Sequence, residues 1–178
     1  MLETNKVKYF QLRLKKTSNL NLLKIAKKIK KIVKKNNVKF IINDKPHLAK
    51  MIGADGCHIG QSDMDFVTAR KILGEGKIIG VTCHNSKKLI KKAIEDKVSY
   101  IALGGFYSSK TKKIKFKANT KLLKAAKKMT KIPIVAIGGI NSNNYKKLLL
   151  NKANFLAISS YIWRNKKLTP VEAIRKLK

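Results

Sequence analysis

The chain has 178 residues, 42 of them Lys or Arg against 9 Asp or Glu, for a formal net charge of +33, and 44% are apolar. That length makes one domain over residues 1–178 the default and is enough to bury a core, and the apolar fraction excludes the hydrophobic depletion of a disordered chain. No run approaches the roughly 18 to 20 uninterrupted apolar residues of a membrane span, and the opening MLETNKVKYFQLRLKK lacks the apolar centre of a secretory signal, so we expect a cytoplasmic protein that does not act at a membrane.

Short apolar runs alternate with amphipathic stretches along the chain. VKYFQLRL (7–14) predicts a strand and 19–35 a helix; FIIN (40–43) a strand, followed by a short helix over about 45–52. GCHI (56–59) is a strand and 65–73 a helix; KIIGV (77–81) a strand and SKKLIKKAIED (86–96) a helix. YIALG (100–104) is a strand, 105–117 a polar loop and 119–130 a helix; PIVAIGG (133–139) a strand and 142–150 a helix; FLAIS (155–159) a strand and 169–177 a last helix. Continuously apolar strands separated by helices belong to a parallel sheet with right-handed crossovers, so the fold class is α/β. Unusual polar residues follow almost every strand. A (β/α)8 barrel builds its site from all its strand ends, whereas a doubly wound sheet concentrates such residues at one switch point, so the barrel is favoured.

The basic excess would suit a nucleic-acid binder, but only Arg13, Arg70, Arg164 and Arg175 supply guanidinium groups, the preferred readers of bases and phosphates. The lysines fall between apolar residues at helical spacing, which describes solvated helix faces. We therefore expect no nucleic-acid partner. Cys57 and Cys83 stand 26 residues apart without a CxxC pair and read as free, reduced thiols.

Acids are scarce enough for their positions to matter. Asp44 and Asp63 each follow a strand in the N-terminal half; as neighbours they could share one Mg2+, a hard ion that commonly bridges substrate phosphates, or each could cap the helix that follows. Gln11, Arg13 and Lys15 alternate with Leu12 and Leu14, so they share one strand face. That face either points two cations inward toward an anion or meets water at a sheet edge. SSKTKK (108–113) offers Ser109, Thr111 and Lys112; AIGGIN (136–141) and AISS (157–160) offer turns at which backbone N–H groups can meet an anion. His58 and His84 lack a third ligand at zinc spacing and read as hydrogen-bonded core residues.

The segments QLRLK, FIINDK, GADGCHIGQSD, IGVTCH, GGFYSSKTK, IPIVAIGGIN and AISS, in that order and spacing, resemble the thiamine phosphate synthase family over about residues 7–165. The resemblance implies a (β/α)8 barrel that joins hydroxymethylpyrimidine diphosphate to thiazole phosphate, giving thiamine phosphate and pyrophosphate with Mg2+ as cofactor. By motif, Arg13, Lys15, Asn43 and Lys112 would hold the diphosphate and, with Thr82 where the family usually has Ser, make up the catalytic set. Asp44 and Asp63 would hold Mg2+, and Gln11 would face the pyrimidine. Ser109, Thr111, Gly139, Ile158 and Ser159 would hold the thiazole phosphate. Leu14, Lys45 and Ser109 depart from the family pattern. Seven strands are predicted where a closed barrel has eight, the family's first strand and helix being absent upstream of Gln11. We expect either a later start than the natural one or closure of the gap by a partner or local rearrangement, a homo-oligomer being left open. A thiazole tautomerase-like enzyme and a non-catalytic phosphate- or thiamine-binding barrel are the competing functions; retention of Asn43, Asp44, Asp63 and Lys112 favours the synthase over the tautomerase.

Overall fold

In the computed structural model, which describes residues 1–108 and 116–177, strands and helices alternate in the predicted order. The chain divides inside its fourth strand into two units, Met1–Gly80 and Val81–Lys178.

The first unit opens with a single 3-10 turn, Leu2–Thr4, and continues through β1 (Tyr9–Leu12), α1 (Asn19–Lys35), β2 (Lys39–Asn43), α2 (Pro46–Met51), β3 (Gly56–Ile59), α3 (Phe66–Leu73) and the start of β4 (Ile78–His84). Phe40, Ile41 and Ile42 are consecutive and all buried, so both faces of β2 are covered, as a parallel strand requires. β2 pairs in parallel with β1 and β3, Ile42 standing opposite Leu12 on one side and Cys57 on the other. Beside it Gly56 admits no side chain, because a Cβ there would strike the Ile78 carbonyl oxygen. Ser18 caps α1 by accepting the Asn21 N–H at 3.3 Å. The helix buries Leu22, Ala26 and Val33 and leaves Lys24, Lys27, Lys28, Lys31, Lys34 and Lys35 exposed, the solvated face its spacing predicts.

The second unit holds the rest of β4, α4 (Lys87–Glu95), β5 (Tyr100–Gly104), α5 (Thr120–Met129), β6 (Ile134–Ile137), α6 (Tyr145–Leu150), β7 (Phe155–Ala157), α7 (Ser160–Trp163) and α8 (Pro170–Arg175). β6 pairs in parallel with β5 and β7, Ile137 standing opposite Gly104 and Ala157. Its core combines Ile101, Leu103, Ile134 and Ala136 with Ile90, Leu123, Ala126 and Leu148 from the helices. α8 starts on a full capping box, Thr169 and Glu172 each satisfying the other's backbone N–H, with Pro170 in its first turn. The fold is thus α/β, with seven parallel strands whose order in the sheet is that of the chain.

Three local expectations are corrected. The first strand ends at Leu12, not 14, because its partner β2 ends at Asn43 and the chain turns away at Asp44 with φ of 61°. Arg13 and Lys15 therefore lie in the following loop, exposed like Gln11, and no buried-cation cost arises. α6 begins at Tyr145, not 142, because Asn141 and Asn144 use their amides in a turn, accepting the N–H of Asn143 at 2.8 Å and of Asn141 at 2.9 Å respectively. The four-residue α7 was not predicted. Cys57 and Cys83 are free and buried, as expected.

Candidate active site

In the first unit the loops that leave β1 and β2 frame a cavity of about 250 Å3 whose walls include Arg13, Lys15, Thr17, Asn43, Asp44 and Lys45. Parallel pairing of β1 with β2 sets this arrangement, because it brings the C-terminal ends of both strands, and hence both loops, to one side. At the strand ends the Gln11 amide donates to Asn43 Oδ1 at 2.5 Å, which fixes the two predicted side chains against each other. Asp44 adopts a left-handed backbone conformation, φ 61°, one that its short polar side chain tolerates better than most, and its N–H donates to the His58 carbonyl at 2.8 Å. That backbone bond ties the end of β2 to β3.

Neither carboxylate serves as a helix cap. α2 is entered through Lys45 and Pro46, and α3 is capped by Asp65, which accepts the Thr68 N–H at 3.0 Å. Asp63 instead folds back over its own loop, accepting the Gly60 N–H at 2.8 Å. The Asp44 carboxyl is pushed up to about 6, first by burial and then by the Asp63 hydrogen bond and charge, while the Arg13 and Lys15 cations pull it down. All six residues predicted in this half, Gln11, Arg13, Lys15, Asn43, Asp44 and Asp63, are thereby linked by contact or by field.

The buried His58 and both thiols are uncharged at neutral pH. Burial presses the His58 imidazole down to about 4, Asp63's charge opposing and Arg13's adding to the shift, so it is neutral. Burial also drives the Cys57 and Cys83 thiols up to about 12, which removes the thiolate a nucleophile needs. Among the described residues no group of three His, Cys, Asp or Glu gathers around one point. Lys45 and Thr17 were not foreseen. Both line the cavity, and only the fold brings the residue after Asp44 beside the β1 loop.

In the second unit Thr82 is half-buried within β4. Gly139 follows β6, and Ile158 and Ser159 follow β7, two strands paired in parallel with Ile137 opposite Ala157; Ser159 is exposed and Ile158 half-buried. The glycine pair has a packing reason: Gly138 and Gly139 have φ of 99° and 63°, and a Cβ on Gly139 would strike the carbonyl oxygens of Tyr107 and Ser108. No helix starts directly behind them, since α6 follows only at Tyr145. Ser109, Thr111 and Lys112 lie outside the described residues.

The sequence model of thiamine monophosphate synthase matches residues 1–162. A thiamine-phosphate synthase of Pelagibacter ubique is 65% identical over 178 residues, covering 100% of this chain and 86% of that one. One from Rhodospirillum centenum is 37% identical over 164 residues, covering 92% and 79%. Among solved structures, a thiamine phosphate pyrophosphorylase from Pyrococcus furiosus superposes with a TM-score of 0.86 at 24% identity, over 96% of this chain and 80% of the other. A 3-hexulose-6-phosphate synthase gives 0.69 at 17% identity, over 99% and 88%, a likeness of fold alone. With the family model and these relatives in agreement, the chain is a transferase that belongs to the thiamine monophosphate synthase family.

Proposed function

We propose that this chain joins hydroxymethylpyrimidine diphosphate to thiazole phosphate, releasing pyrophosphate, in a Mg2+-dependent reaction in the cytoplasm, on a (β/α)8-type barrel. The observation that carries the reading is the first unit's site: the Arg13, Lys15 and Lys45 cations, the Asn43 amide and the Asp44 carboxyl around one cavity, with Asp63 acting on Asp44. Such a set suits an anion that arrives with a hard divalent ion.

The residues present fit that ion. Asp44 and Asp63 would supply hard oxygen donors, and a bound cation would relieve the Asp63 charge that helps to raise the Asp44 carboxyl. A pair suffices, because Mg2+ keeps several waters and takes further oxygens from substrate phosphates. When bound, the ion would neutralise charge on the departing diphosphate. Arg13 and Lys15 face the same cavity and add two positive charges to the leaving group as its bond to the pyrimidine methylene breaks. Asn43, held by Gln11, orients it, and Gln11 faces the pyrimidine. Ser109, Thr111, Gly139, Ile158 and Ser159 hold the thiazole phosphate, Lys112 joins the diphosphate set, and Thr82 completes the catalytic residues.

Loss of the diphosphate leaves a pyrimidine methyl cation that the thiazole nitrogen captures, so the chemistry needs charge neutralisation and positioning more than acid or base. A neutral His58 and two inert thiols accord with that requirement. The test is direct: incubation with both substrates and Mg2+ forms thiamine phosphate and pyrophosphate, and chelation of the metal stops it. Absence of product under Mg2+ saturation, from protein that still binds phosphate, overturns the proposal.

A further inference from the structure

Two loops shape the first unit's cavity, and a side-chain hydrogen bond joins them. The loop after β1 runs through Arg13, Lys15 and Thr17 to Asn19, the first residue of α1. The loop after β2 is only Asp44 and Lys45 before Pro46 opens α2. The Lys45 ammonium reaches across to Asn19 and donates to its Oδ1 at 2.6 Å, a link between residues 26 apart in sequence. Lys45 enters α2 without a side-chain cap of its own, so its side chain is committed to the other loop and not to its helix.

The link bears on Asp44. A non-glycine residue in the left-handed region persists only where its surroundings hold it, and Asp44 has φ of 61°. On one side its N–H is tied to the His58 carbonyl at 2.8 Å. On the other, Lys45 is fixed twice: its carbonyl accepts the Ala49 N–H at 3.0 Å, and its ammonium holds Asn19.

We propose that Lys45 and Asn19 form a strap that positions the Asp44 turn against the Arg13 and Lys15 loop, making both of them positioning residues for metal and diphosphate binding. The strap rests on the metal and diphosphate reading above. Asn19 carries no charge and lines no part of the cavity wall, so its truncation cuts the strap without removing a cation from the site.

The test uses the full chain and Mn2+ as the probe ion, with free Mn2+ read by electron paramagnetic resonance, alongside thermal melting and the steady-state constants for the pyrimidine diphosphate. Asn19→Ala is expected to weaken Mn2+ binding about two- to fivefold, the scale of one lost hydrogen bond, and to raise KM more than it lowers kcat. Asn19→Asp, which keeps the acceptor, is expected to restore both, and Lys45→Arg, which keeps a donor, to restore Mn2+ affinity. Asn19→Ala with wild-type Mn2+ affinity overturns the strap, as does Lys45→Met raising only the KM while Asn19→Ala is silent, since Lys45 would then be a direct substrate cation. Weakened binding that tracks a fall in Tm and is not rescued by Asn19→Asp also overturns it. Wild-type protein that binds no Mn2+ overturns the metal reading itself, and the strap's role with it.

Discussion

Asp44 and His58 are joined by a backbone hydrogen bond, and burial moves their protons in opposite directions. Asp44 is raised from 3.8 to about 6, so its contribution to stability is complete below about 4 and is lost as pH rises through 6. His58 is lowered from 6.5 to about 4, so its contribution is present above 6.5 and is lost as pH falls toward 4. Over the same window the two oppose each other, and the metal-free wild type should show a shallow dependence. Asp44→Asn removes one side of the balance, and thermal melts between pH 7 and 4 are expected to fall more steeply for the variant; parallel curves would contradict the opposition. The scarcity of acids is what made Asp44 and Asp63 legible in the sequence. What spacing could not decide was whether they cap helices, because Asp63 and Asp65 stand two residues apart before the same helix and only the backbone shows that Asp65 takes the cap.

Elements were legible wherever burial is continuous. The runs at Lys39–Asn43, Gly56–Ile59 and Tyr100–Gly104 form strands within a residue or two of their predicted limits, since apolar side chains on both faces leave no other placement. Ends set by a neighbour were not legible. β1 stops where β2 stops, although Leu12 and Leu14 alternate as though the strand went on. α6 starts three residues later than the predicted 142, because Asn141 and Asn144 are spent on a turn. The Gly138-Gly139 pair was read as an approach for an anion, and the fold adds a prior demand: the backbone of Tyr107 and Ser108 occupies the space of any Cβ on Gly139. Gly139→Ala should therefore cost at least about 2 kcal/mol from its positive φ and the displaced backbone together, measurable by urea unfolding. A neutral substitution would show that the segment yields freely.

At the scale of the whole molecule the charge of +33 is spread over helix faces. The described residues include ion pairs at Lys39–Asp55 and Lys92–Asp96, at 3.2 and 3.5 Å, but the net charge is what remains after all nine acids are counted. Self-repulsion of this kind is screened by salt, and the screening length falls from about 30 Å at 0.01 M to about 10 Å at 0.1 M. Tm is therefore expected to rise over that range in sodium chloride; a flat or falling Tm would mean that the lysine coat is not a net cost. Against that background the proposed function gives a small subset of the charge a task, and Arg13 and Lys15 share a cavity with Asp44. The measurement that tests this most directly is calorimetric titration of pyrophosphate, the proposed leaving group, with and without Mg2+, into wild type and the Asp44→Asn/Asp63→Asn double variant. Mg2+ is expected to tighten pyrophosphate binding at least about tenfold in the wild type, some 1.4 kcal/mol, and the double variant to lose this gain while keeping its Mg2+-free affinity. Pyrophosphate binding that ignores Mg2+, or a Mg2+ effect that survives the double variant, would contradict that expectation.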